Sequence, residues 1–412
     1  MAISRSVLDD WIFRKINQNS LEGWQLFQLR ETISHCRVNS PYYKKTLAGL
    51  PLPSSLDEFT SYPFTSGDIL REYGPQMVCV SQADISRVVT LNTSGTSQNP
   101  KRLFFTKEDQ ELTIDFFHHG MRELTKPGQA VIVLLPYKQK GSVGDLLIQG
   151  LTRLGTNPVG YGIMADIEHC VEFIRKQNVV CAVGIPVQLL ALASYCRLRR
   201  IQLPLENILL STDSLPNAVR KRIEEDLKCR VFNHFGMTEC GLGGALECQA
   251  HTGMHIREND LYAEIIEPSG NRPLPKGQWG ELVITTLTRK GMPLIRYRTG
   301  DSARLLPGTC KCQSSLKRLE HGGRLESPFL LQADEILFSL PEVIDYECVW
   351  CEKSQTYRIT LLCLEGCTAP RDNELREAEE KLSAHDGHVI FSCRKIPASA
   401  LPYTGKRTIL RI

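Results

Sequence analysis

The sequence predicts an α/β fold for most of the chain and a small α+β domain at its C-terminal end. Short apolar runs alternate with amphipathic stretches from about residue 128, as in a sheet whose strands are connected by helices. From about residue 328 the pattern changes to β-like runs and one charged helix. A chain of 412 residues can form two hydrophobic cores, and we expect domains at residues 1–323 and 324–412.

A helix is predicted near the N-terminus, before the alternating region. Apolar side chains recur there at spacings of three and four residues, at Leu26, Leu29, Ile33 and Cys36. This spacing places them on one face of a helix, which we expect to pack inward. Pro41 lacks the backbone N–H that a continuing helix needs, so we expect the helix to end before it.

The central region alternates predicted strands and helices. The first three are AVIVLLP at 130–136 as a strand, DLLIQGLTRLG at 145–155 as a helix and VVCAVGIP at 179–186 as a strand. Further along, Val219, Ile223 and Leu227 form one stripe of a helix. That helix leads into CRVFNHFG at 229–236, a strand that ends in a tight turn followed by polar residues. This order of elements predicts a wound sheet.

The C-terminal region has a different order of elements. Two β-like runs, YECVWCEK at 346–353 and YRITLLCLEG at 357–366, precede a charged helix, NELREAEEKL at 373–382. Short strand-like segments follow the helix. This order predicts a small α+β domain.

Charge and composition argue against several classes of protein. The 49 basic and 46 acidic residues leave a net charge of +3, so no strong field favours nucleic acid or an anionic membrane as a partner. The N-terminal residues lack the apolar run of a secretory signal, and no later run is as long as a membrane span. We expect a cytoplasmic enzyme that is a monomer or a homodimer. Fifteen cysteines then indicate buried thiols or metal ligands rather than disulfides.

A loop rich in hydroxyl groups lies between two strand-like runs, RVVTL and RLFFT. It contains Thr93, Ser94, Gly95, Thr96 and Ser97, and it ends at Lys101. Small residues allow the backbone to approach an anion, and hydroxyl and amide groups replace the water around phosphate oxygens. The Gly-Lys-Ser/Thr ending of a Walker A loop is absent. A plain hairpin turn explains the same residues, so the loop alone leaves both interpretations open.

Three further segments accompany this loop. They are Phe235-Gly236-Met237-Thr238-Glu239, Tyr297-Arg298-Thr299-Gly300-Asp301 and Pro402-Tyr403-Thr404-Gly405-Lys406, with Gly323-Arg324 between the last two. Their order and spacing are similar to the motif series of the adenylate-forming (AMP-binding) superfamily. Within it the chain most resembles the phenylacetate-CoA ligases, through LRETISHCRVNSPYYKK, YPFTSGDILREY and ELVITTLTRKGMPLIRYRTGDSARLLPGTCKC. The resemblance covers nearly the whole chain and implies a large adenylate-forming domain with wound mixed sheets and a small mobile C-terminal domain.

The resemblance implies how the chain contacts ATP. The loop from Thr93 to Lys101 corresponds to the mobile loop that holds the β- and γ-phosphates. After the strand, five consecutive residues are implied to contact the nucleotide: Phe235, Gly236, Met237, Thr238 and Glu239. Phe235 corresponds to the residue that stacks on adenine, Thr238 to the one that contacts the α-phosphate, and Glu239 to the Mg²⁺ ligand. Without the resemblance, Thr238 and Glu239 have the pattern of a helix N-cap with an acid in the first turn.

The resemblance also assigns the ribose and adenine contacts. Asp301 corresponds to the carboxylate that accepts hydrogen bonds from both ribose hydroxyls, for which its two oxygens are suited. Arg324 corresponds to a residue that supports the same ribose. A turn residue after Gly300 and a solvated charge near a hinge are the alternatives for Asp301 and Arg324. Three residues that differ from the usual Gly-Ala-Glu fall where the family lines the adenine pocket: Ser211, Thr212 and Asp213.

Lys406 is implied to be the catalytic cation. A carboxylate that attacks the α-phosphate brings two anions together, so a cation that touches both relieves their repulsion as negative charge builds. A solvated charge near the chain end is the alternative. The position of Lys406 after Pro402 and Gly405, in the last motif of the series, favours the catalytic role.

Four residues predict a structural metal site: Cys248, His255, Cys310 and Cys312. Three thiolates and one imidazole form a closed tetrahedral set that suits Zn²⁺ and leaves no position for water. The same positions hold Cys and His in many phenylacetate-CoA ligase relatives, where the metal is structural. His251 is an alternative to His255, and four unrelated buried side chains are the other explanation. Four more cysteines form pairs that buried thiols on neighbouring strands explain more simply than a second metal: Cys348, Cys351, Cys363 and Cys367.

Two segments depart from the family pattern. After Arg324 the family has an acidic hinge residue, a β-segment and a Gly-containing loop that faces the pantetheine tunnel. This chain has LESPFLLQADEILFSLPEV, in which Glu326 can stand at the hinge but the Gly-containing loop is missing, and this predicts weak use of free CoA. In the acid pocket, Lys138 and Lys140 replace the expected apolar or aromatic side chains. They either pair with an extra substrate carboxylate or are solvated loop charges.

Taken with the resemblance, these residues predict an AMP-forming acid-CoA ligase that activates a carboxylic acid, expected to be aryl, with ATP, Mg²⁺ and CoA. One alternative keeps the adenylation but transfers the acyl group to an amine or a carrier protein, or adenylates a phenol-like hydroxyl. Another is a nucleotide-binding relative without ligase activity. Lys406, Glu239 and Asp301 count against the last alternative, because a protein that only bound nucleotide has little use for the terminal lysine.

Overall fold

The computed structural model describes residues 5–16, 20–91, 99–383, 387–402 and 407–412. The chain divides into two compact units, Met1–Glu123 with His234–Leu325 and Leu124–Asn233 with Glu326–Ile412. The C-terminal residues therefore group with the central part of the chain. The domains expected at 1–323 and 324–412 stay a prediction.

The α-helices of the described residues are α1 (Val7–Lys15), α2 (Leu21–Asn39), α3 (Pro41–Thr46), α4 (Leu56–Phe59), α5 (Gly67–Tyr73), α6 (Lys107–Gly120), α7 (Val143–Arg153), α8 (Ile167–Lys176), α9 (Pro186–Arg199), α10 (Asn217–Leu227), α11 (Pro328–Leu337) and α12 (Asp372–Ser383). Within this same part of the chain, none of the helices combines the length and the apolar character needed to cross a bilayer.

The strands are β1 (Ile85–Leu91), β2 (Lys101–Thr106), β3 (Ala130–Val133), β4 (Asn157–Gly160), β5 (Cys181–Gly184), β6 (Asn207–Leu210), β7 (Arg230–Phe235), β8 (Ala245–Glu247), β9 (Met254–Ile256), β10 (Leu261–Ile266), β11 (Gly280–Thr286), β12 (Tyr297–Leu305), β13 (Arg318–Arg324), β14 (Val343–Cys351), β15 (Thr356–Leu364), β16 (His388–Ile396) and β17 (Ile409–Arg411).

The first unit is built on antiparallel strands in the order β10-β11-β12-β13-β9-β8, and the last residues of β7 pair with β8. A separate hairpin, β1–β2, joins Leu91 to Lys101 across the hydroxyl-rich loop. The two strand-like runs beside that loop are therefore confirmed as an antiparallel pair. The loop itself, from residue 92 to 98, lies outside the described residues.

The N-terminal helix of the first unit follows the sequence prediction. On α2, Leu29, Ile33 and Cys36 are fully buried, and Leu26 is partly buried. The helix ends at Asn39, and Pro41 is the first residue of α3. A backbone N–H at that position has no partner within the helix, so proline is tolerated there. The apolar seam and its end are confirmed.

The second unit contains a parallel sheet and a smaller sheet. The parallel strands have the order β7-β6-β5-β3-β4. Every residue of β5 and β6 is buried, as in a parallel sheet with both faces covered. The smaller sheet has the order β16-β15-β14-β17, and α9 packs against β14 in one apolar core. The predicted α/β fold class, with wound mixed strands and a smaller C-terminal sheet, is confirmed.

Candidate active site

The chain turns sharply after β7 and buries Glu239. A Cβ atom on Gly236 would lie 2.1 Å from the carbonyl oxygen of Leu242, so only glycine fits this turn. The single-turn helix Thr238–Cys240 follows, and its N-cap residue is Met237 rather than Thr238. The N-cap alternative for Thr238 is therefore wrong. Glu239 is 3% exposed, which is rare for a carboxylate without a partner.

Two side chains surround the Glu239 carboxylate in the first unit. The Lys101 ammonium forms an ion pair with Glu239 Oε1. The Tyr297 hydroxyl donates to the same oxygen at 3.2 Å and accepts from Lys101 Nζ at 3.3 Å. Burial, and next the Glu239 charge, raise the pKa of Tyr297 well above its usual value, so the phenol stays a donor. Lys101 and Glu239 were both predicted at the nucleotide site, whereas Tyr297 lay in a quoted motif without an assigned role.

Asp301 and Arg324 lie opposite each other on β12 and β13. Arg324 Nε is 3.3 Å from Asp301 Oδ1, and Arg324 Nη1 donates to the Thr299 carbonyl at 2.7 Å. The Asp301 backbone N–H donates to Thr299 Oγ1 at 3.0 Å. Because Asp301 lies within a strand, the turn alternative for it is wrong. Both residues predicted to hold the ribose are brought together, with Asp301 buried and Arg324 about half exposed.

His321 is a neighbour of this pair that the sequence analysis missed. His321 Nε2 lies 3.7 Å from Asp301 Oδ2, and its ring centroid lies 5.3 Å from that of Phe235. The imidazole therefore connects the residue predicted to stack on adenine with the carboxylate predicted to hold ribose. The only signal in the sequence is its position in RLEHGGR, just before Arg324.

The other predicted contacts belong to the second unit or lie outside the described residues. Ser211, Thr212 and Asp213 follow β6 in the second unit, where the Ser211 N–H donates to the Gly184 carbonyl at 3.0 Å. Thr212 has φ +76°, an uncommon conformation for a β-branched residue. Six predicted residues lie outside the described part of the chain: Thr93, Ser94, Gly95, Thr96, Ser97 and Lys406.

The four predicted metal ligands meet in the first unit. The ligand atoms of Cys248, His255, Cys310 and Cys312 all lie within 4.8 Å of one another, and all four residues are buried. Cys248 Sγ is 3.7 Å from Cys310 Sγ, and Cys312 Sγ is 3.3 Å from His255 Nε2. Burial lowers the pKa of His255 to about 4, so its imidazole is neutral, as metal binding requires. The donor set fits a closed tetrahedral zinc site.

His251, the alternative to His255, is not part of this cluster. It lies apart from the group, partly exposed, with Nδ1 3.4 Å from Glu247 Oε2, so the geometry favours His255 as the fourth ligand. Across the described residues, no second group of possible metal ligands comes together. Cys348, Cys351 and Cys363 are buried thiols on β14 and β15, as the simpler explanation predicts, whereas Cys367 follows β15 and is partly exposed.

The structure describes both segments that depart from the family pattern, the one after Arg324 and the loop with Lys138 and Lys140. From Leu325 to Glu342, where every residue is described, the chain forms α11 and no strand. Glu326 is exposed at the start of this segment. Lys138 and Lys140 are exposed in the loop between β3 and α7.

Comparisons with known proteins agree with this site. The family model described as AMP-binding enzyme matches residues 60–288. The phenylacetate-coenzyme A ligase of Pseudomonas putida is 30% identical over 307 residues, which are 71% of this chain and 68% of that protein. The phenylacetate-coenzyme A ligase of Thermus thermophilus is 27% identical over 352 residues, 80% of this chain and 78% of that protein.

A solved structure of similar fold is the 2-hydroxyisobutyryl-CoA ligase in complex with an acyl-AMP. Its TM-score is 0.78 at 20% identity, with 94% of this chain and 88% of that chain covered. The fold is therefore that of an adenylate-forming ligase. With the family match over more than half of its length, the chain belongs to the AMP-binding enzyme family, as a member similar to the phenylacetate-CoA ligases.

Proposed function

We propose that this protein is an AMP-forming acid-CoA ligase. The carboxylate of the acid attacks the α-phosphate of ATP, which forms an acyl-adenylate and releases pyrophosphate. The acyl group is then transferred to CoA, and AMP is released. The observation that carries the proposal is a pair of clusters in the first unit of a chain that belongs to the AMP-binding family. One cluster is Glu239 with Lys101, and the other is Asp301 with Arg324. One cluster suits a polyphosphate with its counter-ion, and the other suits a ribose diol.

Several of the predicted nucleotide contacts in the first unit have a proposed role. Asp301 accepts the ribose hydroxyls, supported by Arg324, and Phe235 stacks on adenine. The buried Glu239 oxygens suit Mg²⁺, which neutralises phosphate charge when bound. In the Lys101 pair, the ammonium pairs with this buried carboxylate and is released to the β- and γ-phosphates as they arrive. Thr238 contacts the α-phosphate from the same turn.

We further propose that Lys406 and residues 93–97 complete the site when the substrates are bound. The family series places Lys406 in the last motif and the hydroxyl-rich loop in the first. Repulsion between the attacking carboxylate and the α-phosphate is what a lysine ammonium relieves. The small domain that carries Lys406 is proposed to begin at residue 324 and to rotate between the two half-reactions.

The proposed acid is an aryl acid, as the names of the phenylacetate-coenzyme A ligases suggest. The exposed positions of Lys138 and Lys140 favour solvated loop charges over a contact with an extra substrate carboxylate. Zn²⁺ is proposed as a structural ion held by Cys248, His255 and the two cysteines of the β12–β13 connection, where it stabilises the junction of distant segments.

The decisive experiment is acid-dependent exchange of pyrophosphate into ATP, followed by thioester formation with CoA. A panel of aryl and aliphatic acids, with phenylacetate included, identifies the substrate. We expect exchange with at least one aryl acid and AMP release that increases when CoA is added. Exchange without thioester formation would indicate an amine or carrier-protein acceptor instead. No exchange with any acid would contradict the proposed function.

A further inference from the structure

A buried arginine in the second unit lies between two carboxylates from distant parts of the chain. Arg407 Nε and Nη2 lie 2.9 and 3.0 Å from the two oxygens of Asp334 on α11. Arg407 Nη1 lies 3.5 Å from Asp213 Oδ2, in the segment after β6. The Arg407 side chain is only 6% exposed, so both ion pairs are shielded from water.

The surroundings fix the guanidinium in this position. The Tyr346 hydroxyl donates to Asp334 Oδ1 at 2.7 Å, and the Phe338 ring centroid lies 5.0 Å from Arg407 Cζ. A two-point contact between guanidinium and carboxylate restricts orientation as well as distance. Asp334 therefore aims the remaining nitrogen, Nη1, at Asp213.

The two contacts differ in what they connect. Asp334 and Arg407 both belong to residues 326–412, whereas Asp213 belongs to residues 124–233. The contact with Asp334 can therefore persist in any movement of the C-terminal residues as a body. A movement of these residues away from residues 124–233 breaks the contact with Asp213, together with other contacts between the two ranges such as that of Arg222 Nη1 with the Val343 carbonyl.

The Asp213 segment is itself held in a defined conformation. Thr212 has φ +76°, and Asp213 Oδ1 accepts the Ser214 N–H at 2.9 Å. A β-branched residue keeps such a conformation only where the surrounding structure imposes it. This segment is also the one whose sequence position matches the adenine-pocket lining of the family.

We propose that Arg407 is a positioning residue for adenylation: its ion pair with Asp213 holds the end of the chain against the nucleotide-binding segment. The inference rests on the proposed function, because one peptide bond separates Arg407 from Lys406, the proposed catalytic cation. Holding Arg407 limits the volume that the lysine ammonium can reach and so raises its effective concentration at the α-phosphate. The Asp213 contact then separates before the acyl group is transferred to CoA.

The test compares the two half-reactions in the full-length protein. The variants are Asp213→Asn, Arg407→Gln and the double variant, with Arg394→Gln as the control. Arg394 forms an exposed ion pair with Glu347 in the same small sheet, so its substitution removes the same charge without touching Asp213. Phenylacetate and chemically prepared phenylacetyl-adenylate serve as the probes, together with the acid that gives the fastest exchange.

We expect Asp213→Asn and Arg407→Gln to lower the kcat of pyrophosphate exchange about 10- to 100-fold. The KM for ATP and the rate of thioester formation from the prepared adenylate should stay within about twofold of wild type. The double variant should be no slower than Arg407→Gln, because both substitutions remove one interaction. Arg394→Gln should exchange at the wild-type rate.

Several results would overturn the proposal. A raised KM for ATP in Asp213→Asn at unchanged kcat would place that carboxylate on the nucleotide rather than on Arg407. Equal loss of both half-reactions in Asp213→Asn would contradict the positioning role, and so would wild-type exchange in that variant. Both results can be read from Asp213→Asn even if Arg407→Gln fails to fold. Absence of exchange in the wild-type protein with every acid would instead contradict the proposed function itself.

Discussion

Lys101 and Glu239 form a buried ion pair although they lie 138 positions apart in the sequence. Lys101 begins β2 directly after the hydroxyl-rich loop, and Glu239 lies in the turn that follows β7. Tyr297 contacts both groups, so three of the sequence motifs meet at a single carboxylate. This relationship is the basis for the first prediction.

Substitution of Glu239 by alanine should mainly lower turnover. Without the carboxylate, Mg²⁺ is no longer positioned at the phosphates, and we expect the kcat of pyrophosphate exchange to fall about 100-fold or more. Steady-state kinetics over a range of Mg²⁺ concentrations measures the change. Tyr297→Phe is the matched control, because it removes one hydrogen bond to Glu239 and keeps the ring, and its loss should be much smaller. Wild-type turnover in Glu239→Ala would remove this residue from the site.

Substitution of Asp301 by alanine should weaken ATP binding. Two hydrogen bonds from ribose to a carboxylate are lost, and we expect the KM for ATP to rise about 10- to 100-fold with a smaller change in kcat. Isothermal titration with ATP measures the affinity directly. Arg304→Gln is a suitable control, since Arg304 lies on the same strand and pairs with Glu320 rather than with Asp301. Unchanged affinity in Asp301→Ala would contradict the assignment.

Purified protein should contain about one zinc ion per chain, measured by elemental analysis. Cys310→Ser should lose the metal and lower the melting temperature by at least about 5 °C, because the site joins segments distant in sequence. Cys393→Ser is the control, since Cys393 is exposed and lies outside the cluster. Metal-free protein from zinc-supplemented growth, or unchanged melting in Cys310→Ser, would show that these cysteines are not ligands.

Substitution of Lys406 by alanine should separate the two half-reactions. Pyrophosphate exchange should fall by a factor of about 100 to 1,000, because the charge that builds at the α-phosphate is no longer neutralised. The same variant should transfer the acyl group from a prepared acyl-adenylate at nearly the wild-type rate. The missing Gly-containing loop after Arg324 predicts a high KM for free CoA in that second assay. Equal loss of both half-reactions would contradict a rotation of the small domain.

His234 should make the stability of the protein depend on pH. Burial, and next the charge of Arg257, lower the pKa of His234 to about 4, whereas an unfolded histidine titrates near 6.5. Between these values the unfolded chain binds more protons, so the free energy of unfolding decreases as the pH falls from 6.5 to 4. The loss approaches about 3 kcal/mol at pH 4, and this contribution is complete above pH 6.5.

Urea unfolding of wild type and His234→Gln from pH 7.5 to 4.5 measures this effect. The difference between their free energies of unfolding cancels the other titrating groups, and it should change with pH by about 1.36 kcal/mol per unit below pH 6.5. Parallel pH profiles of the two proteins would mean that folding does not lower the pKa of His234.

The sequence alone determined the elements and the chemistry of the residues. Short apolar runs identified β3 and β5, and amphipathic spacing identified α7 and α10, because these patterns are local properties of the sequence. The thiolate and imidazole ligand types predicted zinc, since coordination chemistry depends on residue type. The order and spacing of the motifs indicated the family, because they are similar to the motif series of the AMP-binding superfamily.

Tertiary structure alone decided which of these residues meet. The choice of His255 over His251 depends on which side chain of one hairpin faces the cysteines, and four residues of spacing do not settle that. His321 became a neighbour of Asp301 only through the pairing of β12 with β13. The Asp213–Arg407 contact joins residues almost 200 positions apart, and no sequence motif links the two residues. Contacts between distant segments depend on strand register and packing, which the sequence does not display locally.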